Sequence, residues 1–188
     1  MIEDKKFILG LVGTIGAGKS SAVEYLLTKG FDHIKLSNVI REKAKLKNPN
    51  RGTLQDWGNK LRQNFGTDFL ARQAWKKITR SKSKKFLIDG IRNVAEVRFL
   101  RGKENFQLIC VNAHPKTRFK RLRIRSSSRD PLTLEEFEKM EDRDLNENKE
   151  YGQQTKAVMK LADFSIRNDS PIEFFLELEK IFKDISKK

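Results

Sequence analysis

Short apolar runs alternate along this chain with segments whose apolar residues recur every three or four positions. The runs Phe7–Val12, His33–Leu36, Phe86–Ile88, Phe106–Val111 and Phe164–Ile166 have the length and residue types of buried strands. After the first run, Ala22, Val23, Leu26 and Leu27 fall on one helical face. A helix opening at Thr53 collects Leu54, Trp57, Leu61 and Phe65, and one opening at Thr67 collects Leu70, Ala74 and Ile78. Trp57 and Trp75 follow these stripes, which favours core packing over base stacking. Thr133–Glu136 forms a capping box, Gly152–Leu161 reads as a further helix, and Ser170–Glu173 combines a capping box with Pro171 in the first turn of a last helix carrying Phe174, Leu178, Ile181 and Ile185. Strands separated by helices predict an α/β fold: a five-stranded parallel sheet with helices on both faces, three layers in all, and ligands beyond the C-terminal strand ends.

The length of 188 residues suits one domain, 1–188, without an internal repeat or linker. Lys43–Gly52, with Asn48-Pro49-Asn50, reads as an exposed loop. No apolar stretch approaches the roughly 18 residues of a spanning helix, so no membrane partner is expected and the cytoplasm is the expected location. The single cysteine, Cys110, sits inside an apolar run and reads as a small buried hydrophobe. His33 and His114 lack any Cys or His ligand set, so neither receives a metal or catalytic role.

The net charge of +15 changes the picture, because such a chain attracts polyanions. Nucleic acid stays open as a partner, but the arginines fall at particular strand ends, and that favours nucleotides.

The first strand runs into Gly13-Thr14-Ile15-Gly16-Ala17-Gly18-Lys19-Ser20, followed by Ser21, which fits G-x-x-x-x-G-K-[ST]. The glycines let successive N–H groups turn toward phosphate oxygens, at the positive end of the next helix dipole. Lys19 is placed to reach the β- and γ-phosphates, and the Ser20 hydroxyl to meet Mg²⁺. The third strand ends in Asp89-Gly90-Ile91-Arg92, where Asp89 reads either as a second metal-holding carboxylate or as a cap for a helix over Asn93–Leu100. After the second strand, Ser37 can cap a helix bearing Arg41. Gln55, Asn59, Arg62 and Gln63 lie off the Trp57 stripe, either as plain surface or as readers of an acceptor.

Basic residues are densest after Pro115: Lys116, Arg118, Lys120, Arg121, Arg123, Arg125 and Arg129. Arg118, Arg121 and Arg125 share a helical face, whose mutual repulsion calls for an anion. A loop over Ser126–Pro131 and the helix restarting at Thr133 complete a lid over about residues 118–135. An RNA-binding patch, or a solvated face paired with Glu135–Glu141, are the other readings of that cluster.

GTIGAGKSS, LSNVIRE, LQDWGNKLRQNFG, DGIR, HPKTRFKRLRIR, FEKMEDRDL and ADFSIRND together resemble, along almost the whole chain, the small P-loop kinases of the adenylate kinase and dephospho-CoA kinase type. Among these the chain looks most like archaeal dephospho-CoA-kinase-like proteins and the kinase-like domain fused to deoxycytidylate deaminases. The resemblance implies that Arg41 and Arg92 grip the acceptor's phosphate, that Arg121 and Arg125 surround the transferring phosphoryl group, and that Asn168 and Asp169 lie along the donor's adenine. It implies ATP as donor and Mg²⁺ held by Ser20 and Asp89. Asn38 stands where these families usually carry an aspartate. An amide cannot accept a hydroxyl proton at neutral pH, so Asn38 favours a nucleoside or deoxynucleoside monophosphate, already an anion, as acceptor. Dephospho-CoA, or an NTP-binding regulatory or RNA-associated ATPase, are the alternatives.

Overall fold

The computed structural model describes residues 6–103, 105–125, 127, 130–145 and 147–185. In chain order it contains β1 (Phe7–Val12), α1 (Lys19–Thr28), β2 (Asp32–Lys35), α2 (Leu36–Ala44), α3 (Arg51–Phe65), α4 (Phe69–Arg80), β3 (Lys85–Asp89), α5 (Val94–Arg101), β4 (Phe106–Asn112), α6 (Pro115–Arg125), α7 (Leu134–Leu145), α8 (Thr155–Lys160), β5 (Phe164–Arg167) and α9 (Pro171–Ile185). The strands form one sheet in the order β2-β3-β1-β4-β5, every neighbouring pair parallel. The chain therefore returns after each strand by a helical crossover, as parallel pairing demands. β1 lies at the centre, and the chain crosses it to place β3 on one side and β4 on the other; this opens the crevice where open α/β sheets bind ligands.

Side chains of β1 and β4 divide between two cores by their period of two. Ile8, Val12, Leu108 and Cys110 join α2, α4 and α5 on one face; Leu9, Leu11, Ile109 and Val111 join α1 and α9 on the other. Cys110 is buried, as its apolar run predicts. Trp57 and Trp75 pack at the edge of the first core, half-buried, with Lys60 and Lys103 over their rings. A third, small cluster joins Ile15 of the β1–α1 loop to Leu122 and Phe137, so the lid helices α6 and α7 rest on that loop. Among the described residues no helix is long and apolar enough to cross a membrane.

The helix expected at Thr67 begins at Phe69 and the one expected from Gly152 begins at Thr155, and three further helix starts differ from the sequence expectation, each for a local reason. The helix expected at Thr53 begins at Arg51, because Asn50 accepts from the Thr53 N–H at 2.8 Å and caps it two residues earlier. That shortens the expected loop over 43–52 and fixes Arg51 in a first turn. Ser37 does not cap α2, which starts directly from β2 at Leu36 with no side-chain cap. Asn93, not Asp89, caps α5, in a capping box with Glu96. The expected capping box at Thr133–Glu136 is present, with the Glu136 N–H 3.1 Å from Thr133 Oγ1 and the Thr133 N–H 3.2 Å from Glu136 Oε2. Of the loop between α6 and α7, residues 126, 128 and 129 lie outside the described residues.

Candidate active site

The loop between β1 and α1 is held open from behind. Gly13 passes so close to β4 that a Cβ would lie 1.9 Å from the Val111 carbonyl oxygen. Gly18, at φ 96°, would drive a Cβ to 2.0 Å from Asn168 Nδ2. Thr14 Oγ1 donates to Asn112 Oδ1 at 2.9 Å, and Asn168 Nδ2 donates to the Ala17 carbonyl at 2.9 Å, so the ends of β4 and β5 tether the loop. Gly18 offers no side chain to cap α1, leaving that helix's positive end facing the cavity. Lys19 folds back, its Nζ donating to the Gly13 and Thr14 carbonyls at 2.7 and 2.8 Å. Burial, reinforced by the charges of Arg92 and Arg51 and opposed by Asp89, lowers its pKa to about 7.

In front of the loop opens a cavity of about 460 Å³ whose wall includes Ile15, Gly16, Ala17, Gly18, Lys19, Ser20, Arg41, Asp89, Arg92, Arg121 and Arg125. Its cations, which also include Lys35, Arg51 and Arg62, outnumber its carboxylates Asp89, Asp130 and Asp144. Asp89 is buried at the end of β3. Burial works to raise its carboxyl pKa, but its contact with His33, 3.8 Å away, and the charges of Lys19 and Lys35 outweigh it, and the pKa falls below the ordinary value. His33 thus acquires an electrostatic role that its isolation in sequence concealed.

Opposite the loop, Asp144 from the end of α7 binds Arg51 and Gln55, and its Oδ2 lies 3.2 Å from Arg92 Nη1. Arg92 Nη1 also donates to Gln153 Oε1 at 3.2 Å. Crowded by burial and by the charges of Arg92 and Arg125, Arg51 has its pKa lowered to about 9 yet stays charged at neutral pH. Below them, Arg62 Nε donates to Glu96 Oε1 at 2.9 Å, with the two side chains 2% and 0% exposed. Glu96 Oε2 meanwhile accepts from the Arg92 and Asn93 N–H groups, so one carboxylate orients the turn that carries Arg92. Arg51 Nε and Arg121 Nη1 are buried without hydrogen-bond partners among the described residues.

The lid face departs from its expectation. Arg118 is a strut: buried, it donates to the Ala113 carbonyl at 2.8 Å and the Ile15 carbonyl at 3.3 Å and pairs with Glu141 on α7. Arg121 and Arg125 do reach the cavity, Arg121 Nη2 donating to Asn168 Oδ1 at 3.2 Å and Arg125 pairing with Asp130.

Several expected residues stand outside the cavity wall. Gly13, Thr14 and Asn168 lie behind the loop and shape it, and Ser21 continues α1. Asp169 is exposed; its Oδ1 accepts from the His114 N–H at 2.7 Å, and that bond, with Arg167, holds its carboxyl below the ordinary value. Asn38 is exposed too and accepts from Arg41 Nη1 at 2.8 Å, so it meets the site only through Arg41. Arg51, Asp144 and Gln153 belong to the site although the sequence reading gave them no role there. Gln55 and Arg62 prove buried in its wall, while Gln63 is exposed surface.

A family model described as AAA domain matches residues 9–159. A UPF0200 protein of Methanothermobacter thermautotrophicus is 31% identical over 182 residues, covering 96% of this chain and 90% of that protein. Among solved structures, a Thermus thermophilus protein superposes with a TM-score of 0.62 at 18% identity, covering 97% of each chain. Shikimate kinase from Acinetobacter baumannii, in complex with shikimate, does so with a TM-score of 0.59 at 14% identity, covering 98% of this chain and 96% of that one. At these identities the structures establish the fold, which is that of the P-loop kinases.

Proposed function

This chain belongs to the UPF0200 family and carries its AAA-type P-loop domain, and from that premise we propose that it transfers a phosphoryl group from ATP to a nucleoside or deoxynucleoside monophosphate. The observation that supports this reading is one cavity whose wall gathers anion-seeking groups from several elements, close enough that Lys19 feels the charges of Arg92 and Arg51, and Arg51 that of Arg125. We assign the phosphate loop, Lys19 and the lid residues Arg121 and Arg125 to the donor, and Arg41, Arg51 and Arg92 to the acceptor. Arg121 Nη1 and Arg51 Nε, buried without partners among the described residues, are donors that phosphate oxygens would satisfy. An acceptor whose own phosphate attacks needs positioning and charge neutralisation rather than a base. Arg41, Arg51 and Arg92 hold such a phosphate toward the loop, while Lys19, Arg121 and Arg125 neutralise charge on the group in transit.

The residues present also suit Mg²⁺. Ser20 and the charged, buried Asp89 share the cavity wall, a hydroxyl and a carboxylate that could hold an ion together with phosphate oxygens. Bound there, Mg²⁺ supplies charge neutralisation between the phosphates.

The test is a coupled phosphoryl-transfer screen over ribo- and deoxynucleoside monophosphates and dephospho-CoA, with and without RNA. Transfer to a monophosphate that is lost on Arg92→Ala is the expected result. Transfer to dephospho-CoA alone makes the chain a hydroxyl kinase, and RNA-dependent hydrolysis without any acceptor makes it a regulatory ATPase.

A further inference from the structure

Two buried amides face the cavity, and phosphate binding leaves part of each unused. Gln55 on α3 and Gln153 just before α8 are 5% and 4% exposed and both lie in the cavity wall. Their orientations follow from their partners. Asp144 as a carboxylate only accepts, so the bond between them turns Gln55 Nε2 toward Asp144. Arg92 only donates, so Gln153 presents Oε1 to Arg92 Nη1 at 3.2 Å. Gln55 Nε2 also lies 3.5 Å from Gln153 Oε1, which sets the two amides side by side. Left over are one acceptor, Gln55 Oε1, and one donor, Gln153 Nε2, neither with a partner among the described residues. Neither atom is among the buried atoms left without a partner, so both are open to the cavity and its water, and a ligand that displaces that water must offer them partners in turn.

We infer that Gln55 and Gln153 read a sugar hydroxyl of the acceptor, with Asp144 as the positioning residue that turns Gln55. The inference rests on the reading that Arg92 holds the acceptor's phosphate. Gln153 shares Arg92 with the acceptor's phosphate, so the sugar attached to that phosphate comes nearer its free nitrogen than the base beyond the sugar does. A hydroxyl both donates and accepts, so ring hydroxyls can pair with Gln55 Oε1 and with Gln153 Nε2; a methylene pairs with neither. The site thus selects phosphorylated sugars that keep a free hydroxyl on the ring.

The experiment is calorimetric titration of the full chain with a ribonucleoside monophosphate and with its 2′-deoxy, 3′-deoxy and 2′,3′-dideoxy analogues. The dideoxy compound should bind about tenfold or more weakly than the ribonucleotide, and one of the two monodeoxy compounds should share the loss. Gln55→Leu and Gln153→Leu should bring the ratio of ribonucleotide to dideoxy affinity to about one, whatever loss both compounds share through the altered support of Arg92. The analogue series on the unmodified protein tests the inference even where a leucine variant fails to fold. Equal affinity for ribo- and dideoxy compounds overturns it; if Arg92→Ala then still abolishes binding of both, the phosphate-acceptor reading survives alone. Absence of binding by every monophosphate overturns both.

Discussion

Lys19 is the residue whose state depends most on what shares its cavity. With a pKa of about 7 it is largely neutral at pH 8, and phosphate oxygens favour its ammonium form. Nucleotide binding at pH 8 should therefore take up close to one proton, and at pH 6 almost none, read from titration heats in buffers of different ionisation enthalpy; Lys19→Met should abolish the uptake. The same depression fixes a sign for stability. Between pH 7 and 10.5 the unfolded chain holds the Lys19 proton and the folded chain has released it, so the contribution of Lys19 to stability increases as pH rises through that window. Lys19→Met should flatten this slope in denaturation curves, and a slope unchanged in the variant would remove Lys19 as its source. Turnover should fall by about 10²-fold or more on the same substitution, since the ammonium is a transition-state donor. Asn38 is the contrasting case: exposed and bound to Arg41 rather than set in the wall, it should tolerate Asn38→Asp with a change in monophosphate transfer within about tenfold. A gain of about 10² confined to dephospho-CoA, the worth of a positioned base, would instead reveal a hydroxyl kinase.

At the scale of elements, what was legible in sequence was what local patterns encode. Phe7–Val12 and Phe106–Val111 alternate side chains between two cores, and Ser170–Glu173 states where α9 begins; each needs only near neighbours to be read. Arg51, Asp144 and Gln153 escaped because their meaning lies in contacts some ninety positions apart, such as Arg51 with Asp144, which no short window contains. Arg118 misled for a related reason: helical spacing aligns it with Arg121 and Arg125, but a partner on α7, Glu141, decides that it supports the lid. Replacing Arg121 or Arg125 by Ala should cost about 10²-fold in turnover, whereas Arg118→Ala should act chiefly on the melting temperature, lowering it because Glu141 and two backbone carbonyls lose their donor. The pair between α3 and α5 is more sensitive still. Arg62→Met leaves Glu96, fully buried, without its cation and should cost about 3–5 kcal/mol in chemical denaturation. Adding Glu96→Gln keeps an acceptor for the Arg92 and Asn93 N–H groups while removing the stranded charge, and should recover much of that loss; no recovery would mean that packing around Arg62, not the charge of Glu96, carries the cost.

Over the whole molecule, the net charge of +15 is spent in two ways. Part of it lines one cavity, where Lys19, Arg41, Arg51 and Arg92 converge on the space beyond the central strand. Much of the rest lies on the surface, some of it already paired, as Lys77 is with Glu42 and Lys139 with Glu135, and some of it isolated in sequence between elements, as at Lys45 and Lys47. A molecule built to track a nucleic acid strand instead sets its cations along a groove with aromatic platforms between them, and here Trp57 and Trp75 serve the core. The long-range field still attracts any polyanion, and that attraction weakens with salt, since each phosphate neutralised releases its counterions. RNA should accordingly bind this chain at low ionic strength with a steep salt dependence, and at about 0.15 M salt it should neither compete with nucleotide nor change turnover. Lys45→Glu with Lys47→Glu should weaken RNA binding and leave phosphoryl transfer as it was, because neither side chain lines the cavity. If RNA at that ionic strength displaces nucleotide, or if turnover requires it, then the cavity's cations belong to a nucleic-acid channel, and the two phosphate sites assigned to small molecules are stations along one strand.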